Sequence, residues 1–178
     1  MSKKYVKDYR LSDSVDASGK LHSEYQYIGG SFYRTAEPSV ARHESVLLAV
    51  LCGIGWVCWL LPLLFNNGAM HQFYISYPYI FAALTLWLLS MAAYTALTAP
   101  DPMTHKQSDK LTNWIPGTSL ATAILSGIAL VGTVVTMLVR PDAFNSYDWL
   151  FIACAAVLCG IGVTVFTLRK FFKTEERK

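Results

Sequence analysis

Residues 118–139 read TSLATAILSGIALVGTVVTMLV, a run without one Asp, Glu, Lys, Arg or His. As an α-helix, rising about 1.5 Å per residue, such a run is long enough to cross the roughly 30 Å hydrocarbon layer of a bilayer. Three further stretches, 46–65, 77–98 and 149–168, match it in length and are equally free of ionisable side chains. The expected fold is therefore an all-α membrane protein. It is a four-transmembrane-helix bundle over 45–170, with a tail at 1–44 before it and a short tail at 171–178 after it. Composition agrees, because 53% of the 178 residues are hydrophobic and only 15% charged, too apolar for an ordinary soluble domain. The spans use up most of the length, which leaves no room for a second large domain.

Within the third span, Ser119, Thr122, Ser126, Ala129, Thr133 and Thr136 recur at alternating intervals of three and four. That spacing draws one narrow seam of small, hydroxyl-bearing residues along a helix. A seam of this kind packs helices together, each hydroxyl bonding across the interface or back to its own helix. Its other use would be a polar lining for a neutral ligand or a narrow water path. Packing is the preferred reading, since hydroxyls without a charged partner handle ions and protons poorly.

The heptapeptide Ala-Val-Leu-Cys-Gly-Ile-Gly occurs at 49–55 and again at 156–162. The first and last spans run in opposite directions, so the two copies fall at similar depth, and small residues there would let two backbones approach closely. Spans one and four are expected to touch through Cys52, Gly53 and Gly55 on one side and Cys159, Gly160 and Gly162 on the other.

Orientation follows from the basic residues. Of the 15 Lys and Arg, Arg140 alone falls in a connection on the far side of the spans from both tails. Positive side chains near span ends stay cytoplasmic, so both termini are expected in the cytoplasm, with 66–76 and 140–147 outside and Asn67 accessible there. Short connections without a glycosylation sequon outside suit a bacterial plasma membrane. Attraction to anionic lipid is expected around Arg169, Lys170 and Lys173, blunted by Glu175 and Glu176. The basic residues hug span ends and mix with acids, so no nucleic-acid partner is expected.

Several chemistries lack their residues. Cys52, Cys58, Cys154 and Cys159 all lie inside spans, whereas membrane thiol chemistry needs paired cysteines where thiolates can form. The four His residues fall in tails or connections, out of reach of a membrane haem. His105 with Asp101 and Asp109 is a weak arrangement for a metal, and no H-E-x-x-H or G-x-S-x-G occurs. No catalytic site, metal or cofactor is expected. Phe73, Tyr74, Tyr77, Tyr79, Tyr147, Trp59 and Trp149 read as an aromatic belt at the outer interface, and Pro38 and Pro78 read as helix starts.

The tail before the spans carries a hairpin pattern. Ala17-Ser18-Gly19 reads as a three-residue loop between strands at about 5–15 and 21–28. Folding on that loop pairs Val15 with Leu21, Leu11 with Tyr25 and Tyr9 with Tyr27, all on one face, and puts Ser14, His22, Ser12, Glu24, Arg10 and Gln26 on the other. Such a hairpin is marginal alone in water, so its Tyr-rich face needs a cover. The functional expectation is a non-enzymatic subunit or scaffold of a membrane complex, docking through this hairpin onto another membrane protein or a second copy, with membrane lipid around it. The alternative is an oligomeric transporter, channel or lipid-handling protein for a neutral or apolar substrate.

Overall fold

The computed structural model describes residues 3–15 and 21–177. Its helices are α1 (Pro38–Leu60), α2 (Phe73–Thr98), the short α3 (His105–Asp109), α4 (Ile115–Val139) and α5 (Asp148–Leu168). Four helical stretches, Pro38–Leu64, Phe73–Thr98, His105–Val139 and Asp148–Phe172, are long and apolar enough to cross a membrane. α1 packs on α2 and α5, and α4 packs on the same two, so the order around the ring is α1, α2, α4, α5. Two antiparallel two-stranded sheets lie at the end of the bundle that holds both termini. One joins β1 (Tyr9–Val15) to β2 (Leu21–Tyr27), and the other joins β3 (Ser31–Arg34) to β4 (Thr174–Arg177).

Two helices begin earlier than the apolar runs suggest. α2 starts at Phe73, so Pro78 lies inside it rather than at its start. The helical path of span three begins at His105 and passes through a wide π turn at Lys110–Trp114 before α4. Pro116 has no N–H for the carbonyl four residues back, and its ring crowds that carbonyl. A widened turn relieves both problems without ending the helix.

The seam of α4 is its buried face. Ser119, Thr122, Ser126, Ala129 and Thr133 are fully buried, and Thr136 nearly so. Four hydroxyls bond back one turn: Thr122 to the Thr118 carbonyl at 2.9 Å, Ser126 to Thr122 at 2.6 Å, Thr133 to Ala129 at 2.7 Å and Thr136 to Gly132 at 2.7 Å. Two of them also reach α2, where Thr85 Oγ1 lies 2.8 Å from Thr122 Oγ1 and Tyr74 Oη lies 2.8 Å from Thr136 Oγ1. An interhelical bond of this kind contributes about 0.6 kcal/mol. The larger effect is steric, because hydroxyls folded onto their own helix leave a nearly flat surface for the neighbours.

α5 uses that surface, through Gly162 and not Gly160. A Cβ on Gly162 would lie 2.7 Å from the Ser119 carbonyl oxygen and the Ala123 backbone nitrogen of α4. Gly160 and Gly53, by contrast, have nothing within 4 Å of a Cβ position. Two residues advance a helix by about 200°, so within each heptapeptide copy one glycine must face out when the other faces in. On α1 the inward pair is Cys52, which is buried, and Gly55, whose Cβ position is 3.0 Å from Leu86 of α2 and 3.7 Å from Leu158 of α5. Cys159 sits half-buried, its Sγ 3.7 Å from the Cβ position of Gly127 on α4. The α1–α5 contact therefore runs through Gly55 and Leu158, and the glycine that lies directly against a neighbouring backbone is Gly162 of α5, on α4.

At the end away from the termini, three polar or amphipathic groups are buried, and two of them, Asn67 and Tyr79, are expected from sequence at the outer surface or interface. Asp148 is only 1% exposed. It stands at the start of α5 and accepts the Ala69 N–H at 2.8 Å and the Asn145 N–H at 2.6 Å, tying both far-side connections to one helix end. Asn67 is 2% exposed, not open to solvent. Its side chain donates to the Pro62 carbonyl at 2.8 Å and accepts the Met70 N–H at 3.0 Å. Tyr79 is a core residue rather than an interface anchor: its ring lies 4.7 Å from that of Phe151, its hydroxyl donates to the Cys58 carbonyl at 2.8 Å, and Trp59 Nε1 donates to the Tyr79 carbonyl at 2.9 Å. Each group pairs with backbone atoms that would otherwise lie buried without a partner, at a cost of about 1–3 kcal/mol apiece.

Gly162→Leu should lower the unfolding free energy in mild detergent by about 3 kcal/mol, because it drives a side chain into backbone. Gly160→Leu should change it by less than about 0.5 kcal/mol. Thermal unfolding of the two variants side by side checks this, and equal losses would remove the assignment of facing.

Candidate functional site

The end of the bundle that carries the termini gathers three segments distant in sequence. β3 pairs with β4 in the register Ser31↔Arg177, Phe32↔Glu176, Tyr33↔Glu175 and Arg34↔Thr174. On its other edge Phe32 exchanges two backbone bonds with Met103, at 3.1 and 2.8 Å, in the connection between spans two and three. Thr35 N–H then donates to the Lys173 carbonyl at 3.1 Å. Met103 and Phe172 are buried here beside Leu111 and Ile115, closing the bundle's apolar interior at this end. Both tails and the middle connection therefore lie on one side of the bundle.

The β1–β2 hairpin is anchored onto this platform at its base. Its register is Tyr9↔Tyr27, Arg10↔Gln26, Leu11↔Tyr25, Ser12↔Glu24, Ser14↔His22 and Val15↔Leu21, the pairing that a loop at 17–19 imposes. The loop itself lies outside the described residues. The first strand is shorter than expected, since Lys3–Asp8 forms a 3₁₀ turn, and the second ends at Tyr27. Ile28 N–H donates to the Asp8 carbonyl at 2.8 Å, which closes the ladder.

Tyr27 is the pivot of the anchor. Its hydroxyl donates to the Gly30 carbonyl at 2.8 Å and accepts the His105 N–H at 2.9 Å. The phenol folds back over Gly29, where a Cβ would lie 2.6 Å from its oxygen, so this approach requires glycine. Burial is the main cause that pushes the Tyr27 phenol above its ordinary pKa, helped by the negative charges of Asp8 and Glu176, with the His105 N–H acting in the opposite direction. His105 Nδ1 lies 3.0 Å from Asp8 Oδ2, its ring stacks on Phe32 at 5.3 Å, and Tyr5 meets it edge-on at 5.5 Å. Asp109 accepts from Tyr5 and from Asn113. Asp101 lines a separate cleft, so His105, Asp101 and Asp109 do not converge. Among the described residues no three His, Cys, Asp or Glu side chains gather as a metal site requires.

Along the hairpin face Tyr9 and Tyr27 are part-buried at the base, and Leu11 and Tyr25 beyond them are exposed. Tyr9 packs edge-on against Tyr27 at 5.3 Å, whereas Leu11 is 52% and Tyr25 68% exposed. Val15 and Leu21 pair further out along the same register. Of the sequence-selected residues, Tyr9 and Tyr27 thus serve the anchor, and Leu11 and Tyr25 form an unpartnered apolar step. The His105–Asp8–Tyr27 anchor has no sequence signature, because its members are scattered over three segments. No protein-family model matches this chain, and no curated protein or solved structure matches it.

Tyr27→Phe removes one donated and one accepted bond, each contributing about 1 kcal/mol. The expected result is a bundle that unfolds at an unchanged temperature while protease cuts the hairpin about thirtyfold faster, a cleavage readable by intact-mass spectrometry. Unchanged cleavage would show that the anchor does not hold the hairpin.

Proposed function

We propose that this chain is a non-enzymatic integral membrane protein that acts as a subunit or scaffold of a membrane complex, presenting its hairpin to another membrane protein. The observation that carries the proposal is the contrast within the hairpin. Its base is fixed in orientation by Tyr27, His105 and Asp8, while Leu11 and Tyr25, adjacent across the strands, remain exposed. Ordering a strand pair costs conformational entropy, and a rigid apolar step repays that cost when a partner buries it. The seam of α4 argues against the transport alternative for a single copy. Its hydroxyls are spent on backbone carbonyls and on α2, which leaves none of the seam's own hydroxyls free to line a path.

We place both termini in the cytoplasm of a bacterial plasma membrane. Support comes from the charge bias, with Arg140 the one basic residue at the far end, and from the pairing of both tails with the 2–3 connection at the other.

Purification in mild detergent followed by mass spectrometry should recover a stoichiometric membrane partner, and Leu11→Ser with Tyr25→Ser should reduce its recovery at least tenfold without loss of the bundle. Full retention of the partner by that double variant would sink the docking role. In intact cells an impermeant thiol reagent should label Asn66→Cys and spare Lys106→Cys; the opposite pattern would invert the topology.

A further inference from the structure

Beside the platform, the start of α1 and the end of α2 enclose a cleft of about 600 Å³, lined by Arg34, Arg42, Ser45, Val46, Leu97 and Asp101 among others. Its size is that of a small-molecule site, and its chemistry is divided. Two guanidinium side chains face one part. Arg34 donates through one Nη to the Ser45 hydroxyl at 3.2 Å and through the other to the Ala96 carbonyl at 2.6 Å, in the last turn of α2. These bonds hold the side chain at the junction of the two helices and complement the negative end of the α2 dipole. They do not complete it, because the Arg34 Nε is buried without a hydrogen-bond partner. Among the described residues neither Arg34 nor Arg42 makes an ion pair. The N-terminus of the 23-residue α1 adds its positive dipole to the same cleft through Pro38 and Ala41. Asp101 is the single acid on the lining, so positive charge is in excess.

The other part of the cleft is apolar and faces outward. Val46 and Leu97 line it and are exposed, and both belong to the apolar runs of spans one and two. Val50, one turn further along α1, and Tyr94, on the preceding turn of α2, continue that exposed surface into the spans. Two guanidiniums on the lining without an acidic partner among the described residues leave charge for an anion to pair with. A soluble anion would leave the apolar lip unused. We propose that this cleft binds one anionic phospholipid, its phosphate paired with the Arg34 and Arg42 guanidiniums that line it, and its acyl chains lying along Val46, Val50, Leu97 and Tyr94. Basic pockets between spans at the cytoplasmic side suit such headgroups, and a guanidinium is the side chain best matched to a phosphate. The site holds whether or not the hairpin carries a protein partner.

Native mass spectrometry of the full chain in mild detergent, titrated separately with phosphatidylglycerol, phosphatidylcholine and inorganic phosphate, tests the assignment. One phosphatidylglycerol should bind at a concentration at least tenfold lower than phosphatidylcholine, and inorganic phosphate at tenfold excess should not displace it. Arg42→Gln, which leaves the Arg34 bonds in place, should weaken phosphatidylglycerol about tenfold; Arg34→Lys, which keeps the charge but loses the planar fork that bonds Ser45 and the Ala96 carbonyl, should weaken it as well. Arg140→Gln, at the opposite end of the bundle, should leave it unchanged. Equal binding of the two lipids, displacement by inorganic phosphate, or equal weakening by the Arg140 variant would each overturn the site.

Discussion

A helix in hydrocarbon has no water to satisfy its polar groups and gains little from burying apolar side chains against another helix. Close contact between backbones has to supply the cohesion, and in this bundle α4 makes it available. Its hydroxyl seam folds onto its own carbonyls, so Gly162 of α5 can rest directly on the Ser119–Ala123 backbone. α2 approaches the same seam and meets it with Thr85 and Tyr74, which bond to two of the hydroxyls. α1, lacking such a seam, is joined instead by indole and phenol bonds, Trp56 to Ser90 at 3.0 Å and Trp59 and Tyr79 to one another's helix backbones. The ring order α1, α2, α4, α5 follows from which helices can share the flat face.

The two ends of the ring are closed by different means. Away from the termini, one carboxylate and one amide do the work: Asp148 and Asn67 collect N–H and C=O groups that short connections leave unpaired. At the terminal end, backbone pairing does it, through β3, β4 and the Phe32–Met103 exchange. That second closure also creates the two features proposed to bind something. The platform fixes the hairpin by its base, and β3 delivers Arg34 to the junction of α1 and α2.

Periodic features were legible in the chain and pairwise ones were not. The four spans and the α4 seam are periodic, and each recurs over enough residues to mark one face of one helix. The hairpin register was legible because a short loop leaves a single pairing that keeps Tyr9, Leu11, Tyr25 and Tyr27 on one face. The glycine pairs were misread because a repeated heptapeptide gives depth along a helix but not rotation about it, and two positions apart is the opposite face. β3 and β4 could not be read, being four residues each and separated by most of the chain. Asp148, Asn67 and Tyr79 look like surface residues by type; only the geometry of the connections shows that each has bonds to make inside. The hairpin anchor and the arginine cleft are likewise meetings of separate segments.

Cohesion by close backbone contact requires the α4 seam to be a dry packing surface and not the wall of a polar path. Ser126→Cys places a near-isosteric thiol at its middle, and the reactivity of that thiol toward small charged methanethiosulfonate reagents, applied from each side of the membrane, measures access directly. With the four native cysteines replaced by alanine, no modification is expected from either side. Rapid modification from one side or both would contradict it, and would make the bundle a conduit.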